Sequence, residues 1–137
     1  MTRQDKALSI GGLSKRTGCN IETIRYYEKI ALLPAPLRTE GGHRLYSNSL
    51  QRRLIFICKA RGLGFTLEEV RNLLALTDGG YSCDEVKHVV LDHLSVVKKK
   101  IDELVRLQTS LESLAAQCTG GALPNCAAID SLFAETN

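Results

Sequence analysis

From Asp84 to Gln117 the chain runs without a proline or a glycine. Along that run Val90, Leu94, Val97, Ile101, Leu104, Leu107, Leu111 and Leu114 recur at steps of three or four residues. This spacing makes an apolar seam down one face of a helix of about nine turns. Ser82 and Glu85 have the S-x-x-E pattern of a capping box that starts it. Thr119-Gly120-Gly121 supplies its stop. Cys83 then falls in the first turn and Cys118 just past the last, roughly 50 Å apart at ~1.5 Å per residue. A helix that long cannot fold back to cover its own seam. The spacing therefore predicts a homodimer, with Val90, Leu94, Val97, Ile101, Leu104 and Leu111 as its contact residues. Antiparallel packing would bring Cys83 of one subunit beside Cys118 and Cys126 of the other, twice over by symmetry. Three soft thiol donors at each end of a coiled coil point to a soft-metal site.

Charge divides the chain in the same way. Residues 1–64 carry twelve Lys/Arg against four Asp/Glu (+8), and residues 65–137 six against eleven (−5), which together give the net +3. A basic amino-terminal half on an acidic helical half reads as a nucleic-acid-binding head on a dimerisation stem. Hydrophobic content of 44% and charged content of 24% fit an ordinary globular chain. No apolar stretch reaches the about 18 residues of a membrane helix, and the first residues lack the apolar core of a signal peptide. Five cysteines without a secretion signal suggest reduced thiols and a cytoplasmic protein with no membrane partner.

Within the basic half, Ile10 to Thr17 is expected to be a short helix with Leu13 inward, ended by Gly18. Asn20 is a good N-cap for a second helix, Ile21 to about Ile30, and the pair forms a helix-turn-helix. Ile21 and Ile24 should face the core, leaving Glu22, Thr23, Arg25, Tyr26 and Lys29 outward on a recognition helix. Pro34 and Pro36 break the helix. Leu37 to Tyr46 reads as a hairpin with Gly41-Gly42 at its turn, a basic wing able to reach flanking phosphates. Ser47 should cap a third helix to about Arg61. Gly62 to Phe65 reads as a loop, and Thr66 with Glu69 as a capping box for a fourth helix through Leu76. Asp78-Gly79-Gly80 is then the link to the long helix. The expected DNA contacts are Lys15, Arg16, Thr23, Arg25, Tyr26, Tyr27, Arg38, Arg44 and Tyr46.

Three motifs, I-x-x-L-S-K-R-T-G…E-T-I-R-Y-Y-E over Ile10–Glu28, G-x-R-L-Y over Gly42–Tyr46 and G-F-T-L-E-E over Gly64–Glu69, resemble those of MerR-family transcription regulators. The likeness covers about residues 8–133, in the family's order and spacing. It implies a mainly α fold: a winged helix-turn-helix DNA-binding head over 8–78, a long antiparallel coiled-coil dimerisation helix over 82–117, and a short metal-binding loop and helix over 118–133. It also implies a homodimer on double-stranded promoter DNA, and an RNA polymerase that cannot use the overlong promoter spacer until effector binding distorts it.

Cys83, Cys118 and Cys126 match the three cysteines of the family's divalent heavy-metal sensors. Thiolates are soft donors suited to Hg(II), Pb(II) or Cd(II), and Cys83 at a helix N-terminus is placed to lose its proton. The loop Thr119–Asn125 is short enough to fold Cys126 back to Cys118, and Ala127 to Phe133 reads as a short helix that lids the site. Two alternatives stay open. The eight-residue step from Cys118 to Cys126 is similar to that of copper(I) and silver(I) sensors, which carry serine where this chain has Cys83. Zinc sensors add a second cysteine and a histidine in the loop, where this chain has Gln117 and no histidine.

Cys19 and Cys58 are read as packing residues, His88 and His93 as solvent or interface residues, and Lys98-Lys99-Lys100 as a solvated face. No C-x-x-C, phosphate-binding glycine loop or convergent nucleophile–base set occurs, so neither a thiol redox enzyme nor another enzyme is expected. A family iron–sulfur sensor needs four clustered cysteines, and the organic-cation sensors of the family carry a further ligand domain.

Overall fold

The computed structural model describes residues 6–118, 120–121 and 126–135. Its elements are α1 (Ile10–Thr17), α2 (Ile21–Lys29), β1 (Leu37–Arg38), β2 (Arg44–Leu45), α3 (Asn48–Gly62), α4 (Leu67–Gly79), α5 (Cys83–Gln117) and α6 (Ala127–Phe133). They fall into two units, a head over Met1–Val86 and a stem over Lys87–Asn137.

Short polar side chains set where the head helices begin. Ser9 Oγ accepts the Gly12 N–H at 3.1 Å, Asn20 Oδ1 the Glu22 N–H at 2.8 Å, and Ser47 Oγ the Leu50 N–H at 3.3 Å. Thr66 and Glu69 close a full capping box with bonds of 2.9 and 3.1 Å. Each satisfies N–H groups that a helix leaves without partners. Gly18 ends α1 at φ 74°, in the left-handed region, its N–H bonded to Ser14. The helices pack on Leu13, Ile24, Leu32, Leu33, Leu54, Ile57 and Val70, all essentially inaccessible to solvent.

The wing is antiparallel, in the register Leu37↔Leu45 and Arg38↔Arg44. Of the two turn glycines, only Gly42 takes a positive φ, 82°. A bridge that the sequence pattern does not announce extends the wing: Leu8 pairs with Tyr46 through bonds of 2.9 and 2.8 Å. Two boundaries differ from expectation. Gly62 is the last residue of α3 rather than the start of a loop. α4 runs past Leu76 to Gly79 and stops at Gly80, φ 80°, so Asp78 lies within the helix. There Arg53 Nη1 meets both of its carboxylate oxygens at 3.1 Å.

α5 starts as its capping box predicts, with Ser82 N–H to Glu85 Oε2 at 3.3 Å and Glu85 N–H to Ser82 Oγ at 3.2 Å. No residue of α5 is buried. Val90, Leu94, Ile101, Leu104 and Leu111 are between 42% and 63% exposed, while Val97 and Leu114 are half-buried. On α6, Ile129, Leu132 and Phe133 are exposed. Thr119 and the stretch from Ala122 to Asn125, part of the expected stop and loop, lie outside the described residues. No helix among the described residues is long and apolar enough to cross a membrane.

Candidate functional site

α2 presents its outer face through Glu22, Arg25, Tyr26 and Lys29, all exposed, with Thr23 half-buried. Lys15 and Arg16 are exposed in the last turn of α1, where Arg16 Nη1 donates to Gln51 Oε1. Gln51 is fully buried, and its Nε2 donates to the carbonyls of Lys6 and Tyr46 at 2.9 and 3.0 Å. On the wing, Arg38 Nη1 donates to the Gly42 carbonyl at 2.7 Å. Arg44 Nε donates to Glu28 Oε2 at 3.1 Å. Arg25, Lys29, Arg38 and Arg44 thus gather round one notch of about 250 Å³ between α2 and the wing.

Two expected DNA contacts are corrected. Tyr27 is 7% exposed and belongs to the core. It stands three residues after Ile24, on the same buried face of α2, whereas Tyr26 is exposed. Tyr46 is fully buried. Its backbone pairs with Leu8 and its hydroxyl donates to Glu28 Oε1 at 3.0 Å. Burial, then that bond to a carboxylate, push its phenol well above its ordinary 10.0. Glu28 and Gln51 are the polar residues that sequence reasoning missed. Their partners lie on other elements, and no local spacing marks them.

At the far end of the chain the thiols of Cys118 and Cys126 lie 3.6 Å apart. Cys126 immediately precedes α6, and the Ile129 N–H, the Cys118 thiol and the Ala128 N–H together hold its thiol below its ordinary range. This is a helix N-terminus favouring an anion. Cys83 is exposed in the first turn of α5. Among the described residues no three His, Cys, Asp or Glu side chains of one chain gather at metal-binding distance. Cys19 and Cys58 behave oppositely to Cys126: burial pushes both thiols up, that of Cys58 to about 12. His88 is exposed and His93 half-buried.

A helix-turn-helix with a two-stranded wing, basic on the face of its second helix and followed by a long stem helix, defines a DNA-binding regulator rather than an enzyme. The chain belongs to the MerR family: it matches the MerR HTH family regulatory protein pattern over residues 8–77, and that of MerR, DNA binding, over residues 51–114. It is 44% identical over 115 residues to the HTH-type transcriptional regulator ZntR of Escherichia coli K12, covering 82% of each chain. It is 39% identical over 110 residues to the mercuric resistance operon regulatory protein of Bacillus cereus, covering 80% of this chain and 83% of that one. Among solved structures it resembles the transcription regulator PbrR691 of Ralstonia metallidurans in complex with lead(II). That match has 38% identity and a TM-score of 0.79, over 91% of this chain and 98% of the other.

Proposed function

We propose that this regulator binds promoter DNA as a homodimer in the cytoplasm and activates transcription by RNA polymerase when it binds a soft divalent metal ion, Hg(II), Pb(II) or Cd(II). Cys118 and Cys126 of one subunit, with Cys83 of the partner subunit, would hold the ion. The observation that carries the reading is the thiol pair 3.6 Å apart, one member of which favours the thiolate. Three thiolates drawn from two subunits suit a soft divalent ion, whereas the pair on one subunit alone would suit a linear monovalent one. Relatives named for mercuric resistance and for a lead(II) complex support the same ion class.

When bound, the ion supplies a cross-link between thiolates of two subunits. The chain's own parts do the rest. A dimer formed on the exposed seam of α5 would join two basic heads, and a change of angle between them would twist the duplex they share and realign the promoter. Cys83→Ser is expected to abolish induction by mercury, lead and cadmium while leaving promoter binding intact. Undiminished induction by those ions would rule out the three-thiolate site. Running copper(I) and zinc(II) beside them in a thiol-competed titration discriminates the alternatives: a response to copper(I) alone, kept in the serine variant, would reassign the sensor.

A further inference from the structure

A wing of two residues per strand is too small to hold its own position. Here one carboxylate of the recognition helix does so. The Glu28 side chain is only 10% exposed. Its Oε2 accepts from Arg44 Nε at 3.1 Å and its Oε1 from the Tyr46 hydroxyl at 3.0 Å. It therefore grips two residues two apart at the end of the wing, one basic and one buried. Tyr46 is itself tied by its backbone to Leu8 and by its carbonyl to Gln51. Arg44 keeps its Nη groups without partners among the described residues, on the notch it shares with Arg25, Lys29 and Arg38.

A buried negative charge on the face of a helix that meets a polyanion works against binding by simple attraction. We infer that Glu28 is a positioning residue of the DNA interface, locking the wing to α2 so that Arg44 and Arg25 meet one duplex at a set separation. The inference rests on the reading that Arg25 and Arg44 face DNA. Phosphate contacts fix register without reading sequence. Their spacing therefore matters for a registered complex and much less for a loose one, in which contacts shift to suit.

The test compares Glu28→Gln, Arg44→Ala and the double variant of the full chain. The probes are a duplex recovered by the wild-type protein from a randomised library and a shuffled duplex of the same composition. Each Kd is measured across a salt series, with thermal melting followed by circular dichroism. Gln keeps an acceptor for the Tyr46 hydroxyl but turns an amide NH2 toward Arg44 Nε, so it removes both the charge and the hydrogen bond that hold Arg44. One lost phosphate contact costs about fivefold near ~0.15 M salt and lowers the salt slope by about 1. Glu28→Gln is expected to weaken the selected duplex by about that factor, although the head gains a positive charge, and to leave the shuffled duplex unchanged or tighter. Added to Arg44→Ala, it should cause no further loss on the selected duplex. Equal or tighter binding of the selected duplex would overturn the inference, as would equal losses on both duplexes. If Arg44→Ala changes neither duplex, the DNA-facing reading itself fails; if it weakens binding while Glu28→Gln does not, only the positioning role fails. Should Glu28→Gln not fold, Tyr46→Phe removes one of the two grips alone. It is expected to narrow the ratio between the duplexes by a smaller factor, and an unchanged ratio would overturn the inference.

Discussion

Head and stem are built from the same apolar residue types, yet the head buries Leu13, Ile24, Leu54 and Ile57 completely while α5 buries nothing. The difference is one of reach. In the head, helices of eight to fifteen residues are separated by capped turns, so one apolar face meets the next within the same chain. In the stem the 35 residues of α5 carry a seam with no turn to fold it over. Apolar periodicity announces that a face needs cover; element length decides whether the chain can cover it alone. An exposed seam of this length points to another molecule.

The strongest way to break the comparison is to charge the stem and hollow the head separately. Fully burying one Leu contributes about 1.5–3 kcal/mol, and a twofold interface counts each substitution twice. Leu104→Asp is therefore expected to weaken the dimer by about 4 kcal/mol, or roughly 10³-fold, without unfolding the head. Sedimentation equilibrium would show it, and a variant that stays dimeric at low concentration would refute the seam as the interface. Leu54→Ala should do the reverse. It is expected to cost the head about 3 kcal/mol in urea unfolding and to leave the dimer constant within a few-fold.

The thiols sharpen the contrast by chemistry instead of packing. Hydrogen-bond donors hold Cys126 down, while burial pushes Cys19 and Cys58 up. In reduced, metal-free protein near neutral pH, a soluble alkylating agent should modify Cys126 well before Cys58, as read by peptide mass spectrometry. Cys58 also gives the head a pH dependence. Its thiol titrates near 9.0 when unfolded and at about 12 when folded, so between those values the native state binds more protons than the unfolded one. Head stability is fully present below about 9 and falls as pH rises from there toward 12. Cys58→Ala should flatten that decline in a urea series, and an unchanged slope would assign it to other groups.

What the sequence discloses is mostly local. Asn20, Ser47, Thr66 and Ser82 each act within four residues of themselves, so their caps and the helix starts follow from spacing alone. Gly18 as a stop is of the same kind. The approach of Cys126 to Cys118 is nearly so, since only seven residues, two of them glycine, separate them in sequence. Non-local partners are less legible. Tyr26 and Tyr27 are alike as residue types, and it is Tyr27 that is buried with Ile24 on one face of α2. Tyr46 looks like a surface tyrosine on a basic hairpin until Leu8, Gln51 and Glu28 close on it. The partners of Cys83 would be set by the symmetry of a second chain, for which a family resemblance is a better guide than spacing.

The smallest effect concerns the joint after the recognition helix. Ala31 is the sole non-glycine with positive φ, 61°, among the described residues. The bend it makes lets the Leu32 and Leu33 N–H groups both reach the Tyr27 carbonyl, at 2.9 and 3.1 Å, and buries both leucines. Arginines hold the joint from outside: Arg71 Nη2 donates to the Ile30 carbonyl at 2.8 Å and Arg53 Nε to that of Leu32 at 3.2 Å. An L-residue in this region costs about 1–2 kcal/mol. Glycine removes that strain but adds roughly 0.5–1 kcal/mol of unfolded-state freedom. The Ala31 side chain is exposed, so truncation removes no packing. Ala31→Gly is therefore expected to stabilise the head by about 0.5 kcal/mol. The same change in the stem, Ala115→Gly within α5, should destabilise the helix by about 1 kcal/mol, because there glycine brings freedom and relieves nothing. Two identical substitutions with opposite signs in urea unfolding would separate a head in which tertiary packing imposes strain on the backbone from a stem whose backbone is relaxed. Equal signs would show that the bend at Ala31 carries no strain.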